Sequence, residues 1–131
     1  MAQRTRGQTL VALLYAGLSI NAFWQVVTAM LGQSGDPSPL TMLQACIGVA
    51  SAATMWLTWR ADRRAWAAAL VHCAISVGML VALPDLVDID REGRNGVYFG
   101  AATMLALGIG LSWYLRRSMR TAPASHGARN V

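Results

Sequence analysis

His72, Asn21, Gln25, Gln44 and Ser76 are the polar side chains with the most to offer chemically, because each lies inside a long apolar run. An imidazole can ligate a metal or relay a proton, and amides and hydroxyls can hold an uncharged polar solute. Their spacing is helical. Gly17, Asn21, Gln25 and Thr28 form one stripe, Gln44, Gly48, Ser51 and Met55 a second, and Ala65, Ala69, His72 and Ser76 a third. A fourth stripe, Ala102, Ala106 and Gly110, carries only small residues. In lipid, small residues let helix backbones approach and polar side chains bond across helices, so all four stripes are expected to face inward and hold a bundle together. The functional reading of the same residues is a polar path or ligand site. Counted at ~1.5 Å per residue, Asn21 and His72 lie at similar depth. They are expected to meet, directly or through one water, with Ser76 or Gln25 as the next partner.

Other constellations carry less. A haem held by two histidines needs a second His in an apolar run, and the only other one, His126, is in the polar C-terminal stretch. Cys46 and Cys73 lack the paired spacing of zinc or redox motifs and are expected to be free thiols. Met42 and Cys46 are i, i+4 neighbours, a soft pair without the His/Cys/Met cluster a copper site needs. Asp88-x-Asp90-x-Glu92-Gly93 resembles the first half of a calcium loop, but its closing position falls at Phe99. Asp88, Asp90 and Glu92 are therefore weak metal candidates in a solvated acidic loop. No cofactor is expected.

The elements that must position these residues are read from hydropathy and turn signals. Spans of about 9–31, 40–59, 66–83 and 97–115 are each close to the roughly 20 residues that cross a bilayer. Turn formers between Gly32 and Pro39, the basic stretch Arg60 to Arg64, Pro84, and an acidic loop closing on Asn95-Gly96 separate them. Residues 1–8 precede the spans, and residues 116–131 form a basic tail expected to be disordered. No Asp, Glu, Arg or Lys falls within the spans, which lowers the class of proton-coupled transporters and pumps.

Orientation follows from charge. Arg4, Arg6, Arg60, Arg63, Arg64, Arg116, Arg117, Arg120 and Arg129 fall on one side, and only Arg91 and Arg94 on the other. The positive-inside rule then places both termini and the middle turn in the cytoplasm, and Trp56, Trp59, Trp66, Trp113 and Tyr114 gather at the same boundary. The chain has 131 residues, is 55% hydrophobic and 13% charged, and its net charge is +5. The charge sits in clusters beside the spans, without the basic stripe a nucleic-acid surface needs. All eleven basic residues are arginine and Gly is frequent, a composition that suggests a GC-rich bacterial genome.

The reading is an all-α membrane protein, a four-helix transmembrane bundle of the bacterial cytoplasmic (inner) membrane with both termini inside. Its partners are the lipid bilayer and other membrane subunits or further copies of itself, with no nucleic acid. The leading function is a non-enzymatic accessory or scaffolding subunit acting through helix–helix contacts. A small oligomeric transporter or channel using the inward polar residues is the alternative, and a membrane redox or quinone enzyme comes third.

Overall fold

A computed structural model describes residues 5–32, 38–86 and 90–120. They form four helices: α1 (Arg6–Gly32), α2 (Pro39–Trp59), α3 (Ala65–Leu86) and α4 (Arg91–Arg120). Each is long and apolar enough to cross a membrane.

Local chemistry fixes the helix ends. Thr5 and Gln8 form a reciprocal capping box: the Gln8 N–H donates to Thr5 Oγ1 (3.2 Å) and the Thr5 N–H to Gln8 Oε1 (3.1 Å). That box starts α1 ahead of the expected Thr9. Ser38 caps α2, accepting from the Thr41 N–H at 3.2 Å, and Pro39 follows at the first helical position. The turn of residues 60–64 is closed by two backbone bonds, Asp62 N–H to Leu57 C=O (2.9 Å) and Ala61 N–H to Thr58 C=O (3.0 Å). This is a Schellman ending with Ala61, not glycine, at the left-handed position (φ 54°). Asp62 Oδ1 then accepts from the Arg64 N–H at 2.8 Å and leads into α3.

Three further boundaries differ from expectation. Pro84 does not end α3, which runs on to Leu86 with Pro84 buried inside it; neighbouring helices can re-satisfy the backbone a proline frees. The Asn95-Gly96 pair is not a turn but lies within α4. Asp90 explains this: its Oδ1 accepts from the Gly93 N–H (2.9 Å) and its carbonyl from the Arg94 N–H (3.0 Å), so the helix nucleates before the turn dipeptide is reached. At the other end α4 continues to Arg120, so Arg116, Arg117 and Arg120 are helical rather than part of a loose tail.

Sequential helices are neighbours, α1 on α2, α2 on α3 and α3 on α4, while α1 and α4 meet narrowly. They come together at the arginine-rich end, where Gln8 Nε2 donates to Ser118 Oγ (3.4 Å) and Tyr114 lies against Gly7. The apolar core sits there too: Val11 and Tyr15 from α1, Ala65 and Ala69 from α3, Leu115 and Met119 from α4. Elsewhere the usual inside and outside are exchanged. Ser51, Thr54 and Thr58 are fully buried, whereas Leu31 and Phe99 are about four-fifths and three-quarters exposed (83% and 76%). Apolar side chains exposed to that extent are compatible with a hydrocarbon surrounding. Small residues set the closest approaches. Ser19 Oγ donates to the Gly48 carbonyl (3.1 Å) between α1 and α2, and a Cβ added at Gly108 would overlap Cys73 of α3.

Candidate functional site

Because α1 and α4 spread apart beyond their shared end, space remains between them. One cavity of about 190 Å³ is lined by Leu14, Tyr15 and Leu18 of α1, His72 and Cys73 of α3, and Met104, Leu107, Gly108 and Leu111 of α4. A second, of about 200 Å³, has Leu18, Asn21 and Ala22, Gln44 and Ile47, His72, Ser76, Met79 and Leu80, and Met104 in its walls. Leu18, His72 and Met104 belong to both, so the two adjoin.

Four of the five polar residues singled out in the sequence, Asn21, Gln44, His72 and Ser76, thus surround one space. Their roles differ. His72 and Ser76, one turn apart on α3, are 5% and 3% exposed, and neither His72 Nε2 nor Ser76 Oγ has a hydrogen-bond partner. Gln44 is half-buried, and Asn21 is exposed at the mouth. Gln25 is exposed and takes no part.

Asn21 and His72 line the same cavity without a direct hydrogen bond between them, and His72 Nε2 has no partner. The imidazole instead meets Tyr15 edge to face, with centroids 5.2 Å apart and planes at 86°. Tyr15 is nearly fully buried between α1 and α3, where a bulky ring, not an amide, faces the histidine. Tyr15 was not among the residues singled out from the sequence. Its signal was an aromatic six residues before Asn21, ahead of Phe23 and Trp24 in the same run.

Two stripes expected to face inward point out. On α1 the buried face is Ala12, Tyr15, Ser19, Ala22 and Val26, and Gly17, Asn21, Gln25 and Thr28 are exposed. Thr28 Oγ1 bonds back to its own helix, at 3.0 Å from the carbonyls of Trp24 and Gln25. On α4 the buried face is Ala101, Gly108, Ser112, Leu115 and Met119. Ala102, Ala106 and Gly110 lie on the opposite side, and a Cβ at Gly110 would meet nothing within 4 Å. The inner face of α4 has small residues of its own, and Gly108 among them lies against Cys73 of α3.

Comparison with protein-family models, with curated proteins and with solved structures finds no match to this chain. What the arrangement can do chemically must therefore be read from the side chains.

A neutral imidazole and a hydroxyl offer a donor and an acceptor each. In apolar walls they suit an uncharged polar group. Among the described residues, no three His, Cys, Asp or Glu side chains converge as metal ligands. Of the calcium-loop candidates, Asp90 caps α4, Glu92 is exposed in its first turn, and Asp88 lies outside the described residues. Cys46 is exposed on α2 and Cys73 buried in the cavity wall; both are free thiols. Cys73 Sγ lies 3.7 Å from the Met104 carbonyl oxygen, to which its thiol donates.

The two ends of the bundle are electrostatically unlike. One carries Arg6, Arg60, Arg63, Arg64, Arg116, Arg117 and Arg120, with guanidinium groups over indole rings: Arg60 on Trp56 (4.5 Å), Arg116 on Trp66 (5.3 Å), Arg117 on Trp113 (5.6 Å). The other holds Asp85, Asp90 and Glu92 with Arg91 and Arg94, and Arg94 lies 3.8 Å from Asp85.

Proposed function

We propose that this chain is a multi-pass protein of a bacterial cytoplasmic membrane, with both termini and the turn of residues 60–64 inside. We further propose that it works as a non-enzymatic accessory or scaffolding subunit through helix–helix contacts. The orientation is supported by the arginine–tryptophan end, which matches the cationic, aromatic boundary of a cytoplasmic face. The bacterial assignment is supported by composition alone. The scaffold role is carried by one observation: Ala102, Ala106 and Gly110 form a small-residue face turned away from the chain's own bundle, with open space over Gly110. Such a face lets a second helix approach closely enough for extended van der Waals contact.

The test is native mass and co-purification in mild detergent, comparing the natural chain with Ala106→Leu/Gly110→Leu. The expected result is a complex larger than one chain that the leucines dissolve while thermal stability holds, because the bundle's own packing does not use that face. A single-chain species for the natural protein, or a complex indifferent to the leucines, refutes the role. The transporter or channel reading draws on the cavity around Asn21, Gln44, His72 and Ser76. Solute flux through proteoliposomes, lost in His72→Phe, would favour it over the scaffold.

A further inference from the structure

We propose that the adjoining cavities between α1, α3 and α4 are a binding site for an uncharged membrane lipid with a ring head bearing two oxygens, that is, a quinone or quinol headgroup. This rests on the membrane reading above but not on the scaffold role.

Space comes first. The cavities, about 190 and about 200 Å³, share three wall residues. Together they reach the lower part of the range of small-molecule pockets, about 300 to 1,000 Å³. The walls are mainly aliphatic and thioether, with a few polar groups, the composition such pockets have. His72 Nε2 and Ser76 Oγ are more than nine-tenths buried and unpartnered, although buried polar atoms in folded proteins nearly always have a partner. Their residues line the second cavity, and the two atoms themselves are covered, so a side-chain rotation brings them to face a ligand there.

Charge and depth then select the class. No Arg, Lys, Asp or Glu lines either cavity, so an anionic or zwitterionic head finds no counter-charge there. His72 is seven residues into α3, about 10 Å from its arginine-rich end at ~1.5 Å per residue. A phospholipid head stays at the bilayer surface, whereas a neutral ring head enters to that depth. The polar groups also come from three helices: His72 and Ser76 from α3, Gln44 from α2, Asn21 from α1. That distribution suits oxygens on two sides of a ring better than a single hydroxyl. The imidazole and hydroxyl can donate to a quinone carbonyl or accept from a quinol hydroxyl. Access is lateral. Leu14 of α1 and Leu107 of α4 are wall residues yet 48% and 61% exposed, so a tail can remain in the bilayer.

The experiment uses the full chain in phosphatidylcholine nanodiscs, after confirming that it resists alkaline extraction from membranes. Extraction from the membrane would refute the membrane reading separately from the site. Decylubiquinone is the probe, because its fully substituted ring cannot add the Cys73 thiol; decylbenzene is the tail-only control. Saturable binding of decylubiquinone alone is expected, weakened about tenfold or more in His72→Phe/Ser76→Ala and unchanged in Gly110→Leu. A readout in the natural chain stands beside the variants. Decylubiquinone should slow alkylation of Cys73 by N-ethylmaleimide and leave Cys46, which is outside the cavities, unaffected. No saturable binding, equal binding of decylbenzene, a double variant that binds as the natural chain does, or equal effects on the two cysteines would overturn the proposal, the cavities then holding water or lipid tails only.

Discussion

Replacing Gly108 with alanine should weaken the bundle by about 0 to 2 kcal/mol, from overpacking of about 1 to 3 kcal/mol less about 1 kcal/mol regained in helix propensity, and so by about 1 to 3 kcal/mol relative to an alanine placed in open space on the same helix. The added Cβ would fall on Cys73 Sγ and only 2.7 Å from Cys73 Cβ. Carbon atoms in contact sit about 3.5 to 4.0 Å apart. A χ1 rotation of Cys73 can remove the sulfur from the way, but not the Cβ, which is fixed to the backbone. So α3 and α4 must separate by about 1 Å, loosening the seam on either side of Gly108. Unfolding in mixed micelles, followed by helical circular dichroism, gives the difference. Gly110→Ala, two residues along the same helix with open space above it, is the matched control and should be neutral or slightly stabilising. Adding Cys73→Ala to Gly108→Ala should recover only part of the loss, since the two Cβ atoms still overlap, and Cys73→Gly should recover more. A Gly108→Ala protein as stable as Gly110→Ala would refute the close approach of α3 and α4.

Ala61→Gly should stabilise by about 0.5 to 1 kcal/mol, because a left-handed alanine costs about 1 to 2 kcal/mol and glycine returns part of that in chain entropy; denaturant midpoints check it, and a loss of stability would contradict the turn geometry. Asp90→Ala should cost about 1 kcal/mol while Asp90→Asn, still a good cap, should cost little. Calcium below millimolar should leave the Tm unchanged, and a saturable rise abolished by Asp90→Asn would show that the carboxylate serves a metal instead. In a background lacking Cys46 and Cys73, a cysteine at Asn95 should react with an impermeant maleimide from outside and one at Arg64 should not; the reverse pattern would invert the proposed topology.

The four helices were legible because length and apolarity are properties of whole segments, and a span survives errors of several residues at either end. The ends were less legible because they depend on single hydrogen bonds. Thr5-x-x-Gln8 is a capping box that can be read from sequence, yet the apolar run begins only at Thr9 and drew the boundary inward. Asn95-Gly96 is a turn signal, but Asp90, five residues earlier and read from the sequence as part of an acidic loop, caps the helix. The cap prevailed because it acts where the helix nucleates and satisfies the Gly93 N–H, while a turn at residue 95 would leave those first-turn bonds unmade.

Which way each helix faces was the harder inference, and the reason is physical. In water, one apolar stripe per helix goes inward. In a chain that is apolar all round, small residues mark every surface where backbones come close, whether the neighbour belongs to the same chain or to another. α4 carries two such surfaces, Ala101–Gly108–Ser112 and Ala102–Ala106–Gly110, about half a turn apart. The regular small-xxx-small spacing of Ala102, Ala106 and Gly110 is what a bundle seam would have, and it drew the expectation to that face. Position relative to Cys73 chose the other, since only Gly108 allows α3 that near. The same ambiguity turned Asn21 to the mouth of the cavity rather than against His72, because Tyr15, Ser19 and Ala22 form the inner face of α1. His72 and Ser76 were placed inward as expected, on α3, which is flanked by α2 and α4 and by the Tyr15 ring of α1. On α1, Asn21 alone of the polar stripe reaches the mouth, where an entering ligand would meet it.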